Sequence, residues 1–270
     1  DDPPEIDRLD GAPHPRDTTD LHGHDSAQLE LAAAFAGGRM HHAWLISGLE
    51  GVGKATLAYR FARFALSAAA DRRPTATEPL GVTGTAIGAR QVRAMSHPLM
   101  LVIRREWDQK EKRFPQTISV DDVRRLKTFL SRTVEPGNYR MVIVDRADDL
   151  NLSAANALLK SLEEPPPRTM FLLVAGEPGR LLRTIHSRCR TLALLPLAER
   201  PLRLAADAAI AAGSGTPIAD GDMAALTGLA GGSVRRLLTL HAGGGLSLYR
   251  RVLAILVAPR LDSAAVHKLA

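Results

Sequence analysis

Apolar positions along this chain switch between a spacing of three to four residues and short unbroken runs. Leu29, Leu31, Ala32 and Phe35 fall at helical spacing and predict a helix over 26–36, stopped by Gly37 and Gly38. Ala43 to Ser47 is an unbroken apolar run before a glycine-rich turn, which predicts a buried strand. A helix over about 54–69 follows the turn. Leu99 to Ile103 predicts a second strand. A helix over 120–130 opens on Asp121 and Asp122, acids that suit a helix N-terminus. Met141 to Val144 predicts a third strand. The helix over 153–163 ends at Pro165, Pro166 and Pro167, which cannot continue it. Phe171 to Ala175 predicts a fourth strand, and beyond Pro196 the pattern is all helical.

Three stretches lack either period. Residues 1–20 predict an irregular arm. Residues 71–90, rich in Gly, Thr and Pro, predict a mobile loop. Residues 104–116 form a charged excursion with Arg104, Arg105, Lys110, Lys112 and Arg113 around Trp107. It reads as a solvated loop, with DNA contact as the alternative. Strands alternating with helices predict an α/β fold with a parallel sheet covered on both faces, then a small helical unit and the start of another.

Composition narrows this a little. Lys and Arg number 35 against 29 Asp and Glu, a net charge of +6, which suits a nucleic-acid partner and a solvated surface alike. Aromatic residues make up 4%, too few for a surface that stacks single-stranded bases. The lone cysteine, Cys189, excludes an internal disulfide and a cysteine-based zinc site. His41 and His42 are adjacent, point different ways and have no evident third ligand, so no metal is expected. No apolar run reaches the ~18 residues of a membrane span, so no membrane partner is expected.

The chemistry concentrates after the first strand. Gly48, Gly51, Gly53 and Lys54 have the spacing of a phosphate-binding loop between a strand and a helix. Glycines there let backbone N–H groups face phosphates, and the helix N-terminus adds positive potential. The following position normally carries the hydroxyl that holds Mg²⁺, and here it is Ala55. Thr56 cannot take its place, because one helical residue rotates the side chain by about 100°. Asp145 ends an apolar strand as an acid that supports Mg²⁺ would, or as a simple turn residue. Arg146 stands where an ATPase needs a glutamate, and it cannot accept a proton.

With these residues in place the sequence resembles the clamp-loader branch of the AAA+ proteins over about residues 20–240. The resemblance rests on four stretches: Arg39 to Leu45, Ser153 to Pro166, Ser187-Arg188-Cys189, and Gly232 to Arg235. Within the branch the chain resembles the delta-prime subfamily of the bacterial DNA polymerase III clamp loader. Ala55, Arg146, and the pair Ala175 and Gly176 replace residues that the motor subunits use. The resemblance makes Arg188 an arginine finger for a neighbour's ATP site. From spacing alone Arg188 is a surface arginine beside Arg183 and Arg190. Arg235 is either a nucleotide contact or a solvated lid residue. The four-cysteine module common in both bacterial subunits is missing, and residues 71–90 take its place, so no zinc is expected.

The resemblance implies an AAA+ core over 1–195, a helical lid over 196–243, and over 244–270 the start of a collar. It implies a non-hydrolysing stator in a nucleotidyltransferase complex, active in the cytoplasm at the replisome and nucleoid, binding ATP or ADP without turnover. Implied partners are the tau/gamma motor subunit, the delta subunit, and through them the sliding clamp and primed DNA. The rival readings are an active tau/gamma-like ATPase and another AAA+ ring ATPase that processes DNA.

Overall fold

The computed structural model of the chain describes residues 4–6, 8–38 and 40–257. Arg39, within one of the motif stretches, and the end of the expected collar, 258–270, lie outside the described residues. In chain order the elements are α1 (Asp25–Ala36), β1 (Ala43–Gly48), α2 (Lys54–Leu66), α3 (Ile87–Arg93), β2 (Met100–Ile103), α4 (Val120–Leu130), β3 (Arg140–Asp145), α5 (Leu152–Glu163), β4 (Thr169–Ala175), α6 (Arg183–His186), β5 (Arg190–Leu194), α7 (Glu199–Ala212), α8 (Asp220–Ala230), α9 (Val234–Ala242) and α10 (Gly245–Val257).

The five strands form one parallel sheet in the order β2-β3-β4-β1-β5. β1, β3 and β4 are almost entirely buried, which explains their unbroken apolar sequences. Alternate side chains enter opposite faces. Trp44, Ile46, Met141, Ile143 and Leu172 join a core with Leu57 and Phe61 of α2 and, from the C-terminal helices, Leu202, Leu226 and Leu237. Leu45, Val142, Val144, Phe171 and Leu173 join a second core with Leu126 of α4 and Leu158 of α5.

Local chemistry sets several helix ends. Ser119 and Asp122 form a reciprocal capping box at the start of α4. Asn151 Oδ1 accepts from the Ala154 N–H at the start of α5, and Ser233 Oγ accepts from the Arg236 N–H at the start of α9.

Three expectations need correction. First, β5 was not predicted. It is an edge strand in which Arg190, Thr191 and Ala193 are exposed and only Leu192 and Leu194 are buried, so it lacks an apolar run. Second, residues 71–90 are not a featureless mobile loop. Arg72 and Val82 form an isolated antiparallel bridge, Leu80 is buried, and α3 begins at Ile87. The Arg72 guanidinium holds the segment by donating to the carbonyls of Phe64, Ala65 and Ser67, each at 2.9 Å. Third, α2 stops at Leu66 rather than Ala69, because Ser67 turns extended and its hydroxyl donates to the Arg63 carbonyl at 2.7 Å.

The charged excursion is organised locally by a bridge between Asp108 and Arg113 and an edge-to-face contact of Trp107 with Phe114. Among the described residues no helix is long and apolar enough to cross a membrane.

Candidate functional site

Parallel pairing brings three strand ends to one edge of the sheet. Ser47 of β1 lies level with Ala175 of β4, and Asp145 of β3 lies level with Val174. The phosphate loop, Arg146 and Gly176 therefore leave the sheet side by side, at the carboxyl ends of the strands where α/β folds bind ligands. A cavity of about 470 Å³ opens there, within the usual size of small-molecule pockets. Its walls are arm residues 17–22, loop residues 49–56, Asp145, Arg146 and Asp148, and the C-terminal helices through Ala208, Val234 and Arg235.

Gly48, Gly51 and Gly53 adopt φ of 146°, 75° and 109°, conformations that L side chains rarely take. Gly53 also precedes α2 without any side-chain cap, so the first N–H groups of α2 lack a capping side chain, as a phosphate site requires. Lys54 is buried, and its Nζ donates to the carbonyls of Gly48 at 2.9 Å and Leu49 at 2.8 Å. Burial lowers its pKa, against the attraction of Asp148, Glu50 and Asp145. These groups fit a nucleotide's phosphates. The metal half of such a site is incomplete: Ala55 has no hydroxyl, and Arg146 puts a cation beside Asp145. Among the described residues no group of three His, Cys, Asp or Glu side chains is arranged to hold a metal ion.

The helical segment closes the cavity from above. The Val234 N–H donates to the Gly51 carbonyl at 3.0 Å, and Ser233 Oγ donates to the Glu50 carbonyl at 2.7 Å. Arg235 Nε lies 3.7 Å from Glu50 Oε1. The arm closes the other side, with His24 Nε2 against the Val52 carbonyl at 2.9 Å.

Sequence comparison settles the relationship. The family described as DNA polymerase III, delta subunit, matches residues 23–198. The chain belongs to this family. Its relatives include DNA polymerase III subunit delta' of Pseudomonas aeruginosa, 39% identical over 57% of this chain and 43% of that protein. The same subunit of Escherichia coli is 36% identical over 63% of this chain and 47% of that protein. The match thus spans less than half of either relative. The tau subunit of Escherichia coli is 32% identical over 65% of this chain and 25% of its own length. Among solved structures, a DNA polymerase III gamma subunit-related protein of Thermotoga maritima aligns with a TM-score of 0.51 and 20% identity, over 90% of this chain and 70% of that one. The RuvB branch migration motor of the same organism aligns with a TM-score of 0.51 and 18% identity, over 94% of this chain and 72% of its own. At such identities these two show the AAA+ fold alone.

Within this delta-family fold the predicted residues divide into two places. Gly51, Gly53, Lys54, Ala55, Thr56, Asp145 and Arg235 line the cavity, and Gly48 opens the loop beside it. Arg188 does not line it. It follows α6, where Nη2 lies 2.7 Å from Glu163 Oε1 and Nη1 donates to the Thr184 carbonyl at 3.0 Å. Its side chain is 35% exposed. Burial pushes the thiol of neighbouring Cys189 up to about 12, away from the thiolate form. His41 and His42, expected to point different ways, instead stack on each other with ring centres 4.5 Å apart, because His41 precedes β1 outside the regular strand alternation.

Sequence reasoning sets Asp148 aside as too far along the chain to serve as the catalytic acid, and it does not single out Glu50. Buried Asp148 accepts from the Gly176 and Glu177 N–H groups at 3.2 and 3.0 Å, which ties the end of β3 to the end of β4. Glu50 was an unremarked loop position. Only its distance to the flanking arginines brings it forward, and no local sequence signal carries that.

Proposed function

We propose that the chain is a non-hydrolysing clamp-loader subunit of the delta-prime type, which supplies Arg188 to the nucleotide site of a neighbouring motor subunit. The supporting observation is a separation. Arg188 stands outside its own cavity, partly exposed just past the end of α6, while that cavity lacks a hydroxyl at Ala55 and a general base at Arg146. A guanidinium in this position can neutralise charge on a neighbour's γ-phosphate. The chain's own cavity holds ATP or ADP through Lys54, the loop N–H groups and Arg235, without turnover. On this reading residues 1–195 form the nucleotide-binding core, 196–243 the lid and 244–270 the opening of a collar. The partners are the tau/gamma motor, the delta subunit, and through them the sliding clamp and primed DNA, in the cytoplasm. ATP hydrolysis by the reconstituted complex carrying Arg188→Ala tests the proposal. Hydrolysis by the isolated chain, lost in Lys54→Ala, would favour an active ATPase instead.

A further inference from the structure

Arg146 leaves β3 in a left-handed backbone conformation, φ 61°. A non-glycine residue is held there at some cost, which a strand-to-turn junction imposes only where the surroundings fix it. The turn carries the guanidinium to the cavity wall, 3.7 Å from Glu50 Oε1 on the phosphate loop and 3.2 Å from Asp149 Oδ2. Arg235 approaches the same Glu50 oxygen from α9, also at 3.7 Å. Lys54 is close enough to Arg146 for the arginine's charge to act on it. Three cations, from the turn after β3, from α2 and from α9, therefore line one cavity, and the Glu50 carboxylate faces two of them. Glu50 is 64% exposed, so both of its pairings are solvated and exchangeable.

We propose that Arg146 is a built-in counter-cation for the polyphosphate of a nucleoside di- or triphosphate, so that the cavity takes the metal-free nucleotide and Glu50 is the anion that phosphate displaces. The inference rests on reading the cavity as a nucleotide pocket. Its physical basis is the pair of changes that meet there. A methyl group at Ala55 offers a divalent ion nothing, and a dication drawn to Asp145 would share the cavity with a guanidinium that repels it. A phosphate placed there gains from the same guanidinium, whose planar donors match two phosphate oxygens at once. Asp149 holds one side of the Arg146 guanidinium, Glu50 faces its other side and Arg235, and the exposed Glu50 can swing into solvent when phosphate arrives.

The test is a titration of the 270-residue chain with ADP and ATP, once with Mg²⁺ and once with EDTA. Binding in EDTA is expected to equal or exceed binding in Mg²⁺. Arg146→Ala should weaken it about tenfold, and Glu50→Gln should tighten it several-fold. Glu50→Gln keeps the test open if Arg146→Ala does not fold. Binding that requires Mg²⁺, or that ignores both substitutions, overturns the inference and leaves the nucleotide pocket standing. A folded wild-type chain that binds neither nucleotide in either buffer overturns both.

Discussion

Ser233 and Glu50, 183 positions apart, are joined by a 2.7 Å hydrogen bond from the Ser233 hydroxyl to the Glu50 carbonyl. The same hydroxyl caps α9 by accepting from the Arg236 N–H at 3.1 Å. One side chain thus caps the start of α9 and fastens that helix to the phosphate loop.

Gly51 makes that docking sensitive to a single methyl group. A Cβ there would lie 2.3 Å from Arg235 Cβ and 2.6 Å from Ser233 Oγ, on a backbone with φ +75°. Gly51→Ala should cost about 2 kcal/mol from the left-handed backbone alone, with the clash added. Thermal unfolding should show the loss. Limited proteolysis should show faster cleavage between α6 and α9. A variant as stable and protected as wild type would show that α9 does not rest on the loop.

The N-terminal arm depends on two buried arginines of α2. Arg63 donates to the carbonyls of Arg16 and Thr18, both at 2.7 Å, and Arg60 reaches the Thr19 carbonyl. Burial, with Arg60 and Arg93 close by, lowers Arg63 to about 10, which leaves it charged at neutral pH. Arg63→Ala should cost about 2–3 kcal/mol, because it strands two carbonyls. It should also expose residues 8–22 to protease, and nucleotide affinity should fall with the loosened wall. Unchanged cleavage would mean that the arm is held elsewhere.

The arm also carries a pH-sensitive tether. Burial alone would raise the Glu5 carboxyl, but hydrogen bonds from Arg16 and Arg104 and the charge of His14 outweigh it and hold Glu5 at about 2, below its ordinary 4.5. A depressed folded pKa gives stability that is complete above 4.5 and disappears as pH falls from 4.5 to about 2. The contribution of this partly exposed network is on the order of 1 kcal/mol. Glu5→Gln should lower stability at pH 7 by that amount, and the gap to wild type should close as the pH falls through that window. A gap constant with pH would dissociate Glu5 from the tether.

What the sequence revealed follows burial. β1, β3 and β4 were legible because strands covered on both faces need unbroken apolar runs. The phosphate loop was legible because backbone geometry demands glycine at fixed places. β5 was hidden because an edge strand buries only Leu192 and Leu194. The arm's attachment was hidden because Arg60 and Arg63 on a helix look like a solvated face, whereas both are buried against main-chain carbonyls. The order in residues 71–90 comes from Arg72 reaching back to the end of α2, a contact without local periodicity. The pairing of Arg188 with Glu163 joins two motif stretches that the sequence shows only separately.

The central claim is tested most directly by ATP hydrolysis of a complex reconstituted from the chain and the proposed partners, the motor and delta subunits with clamp and primed DNA, comparing wild type with Arg188→Ala. The account predicts a fall of about a hundredfold or more at the site that Arg188 completes, with assembly intact and no hydrolysis by the isolated chain. Unchanged hydrolysis in a complex that assembles normally would contradict it, and Arg188 would then be a surface residue paired with Glu163.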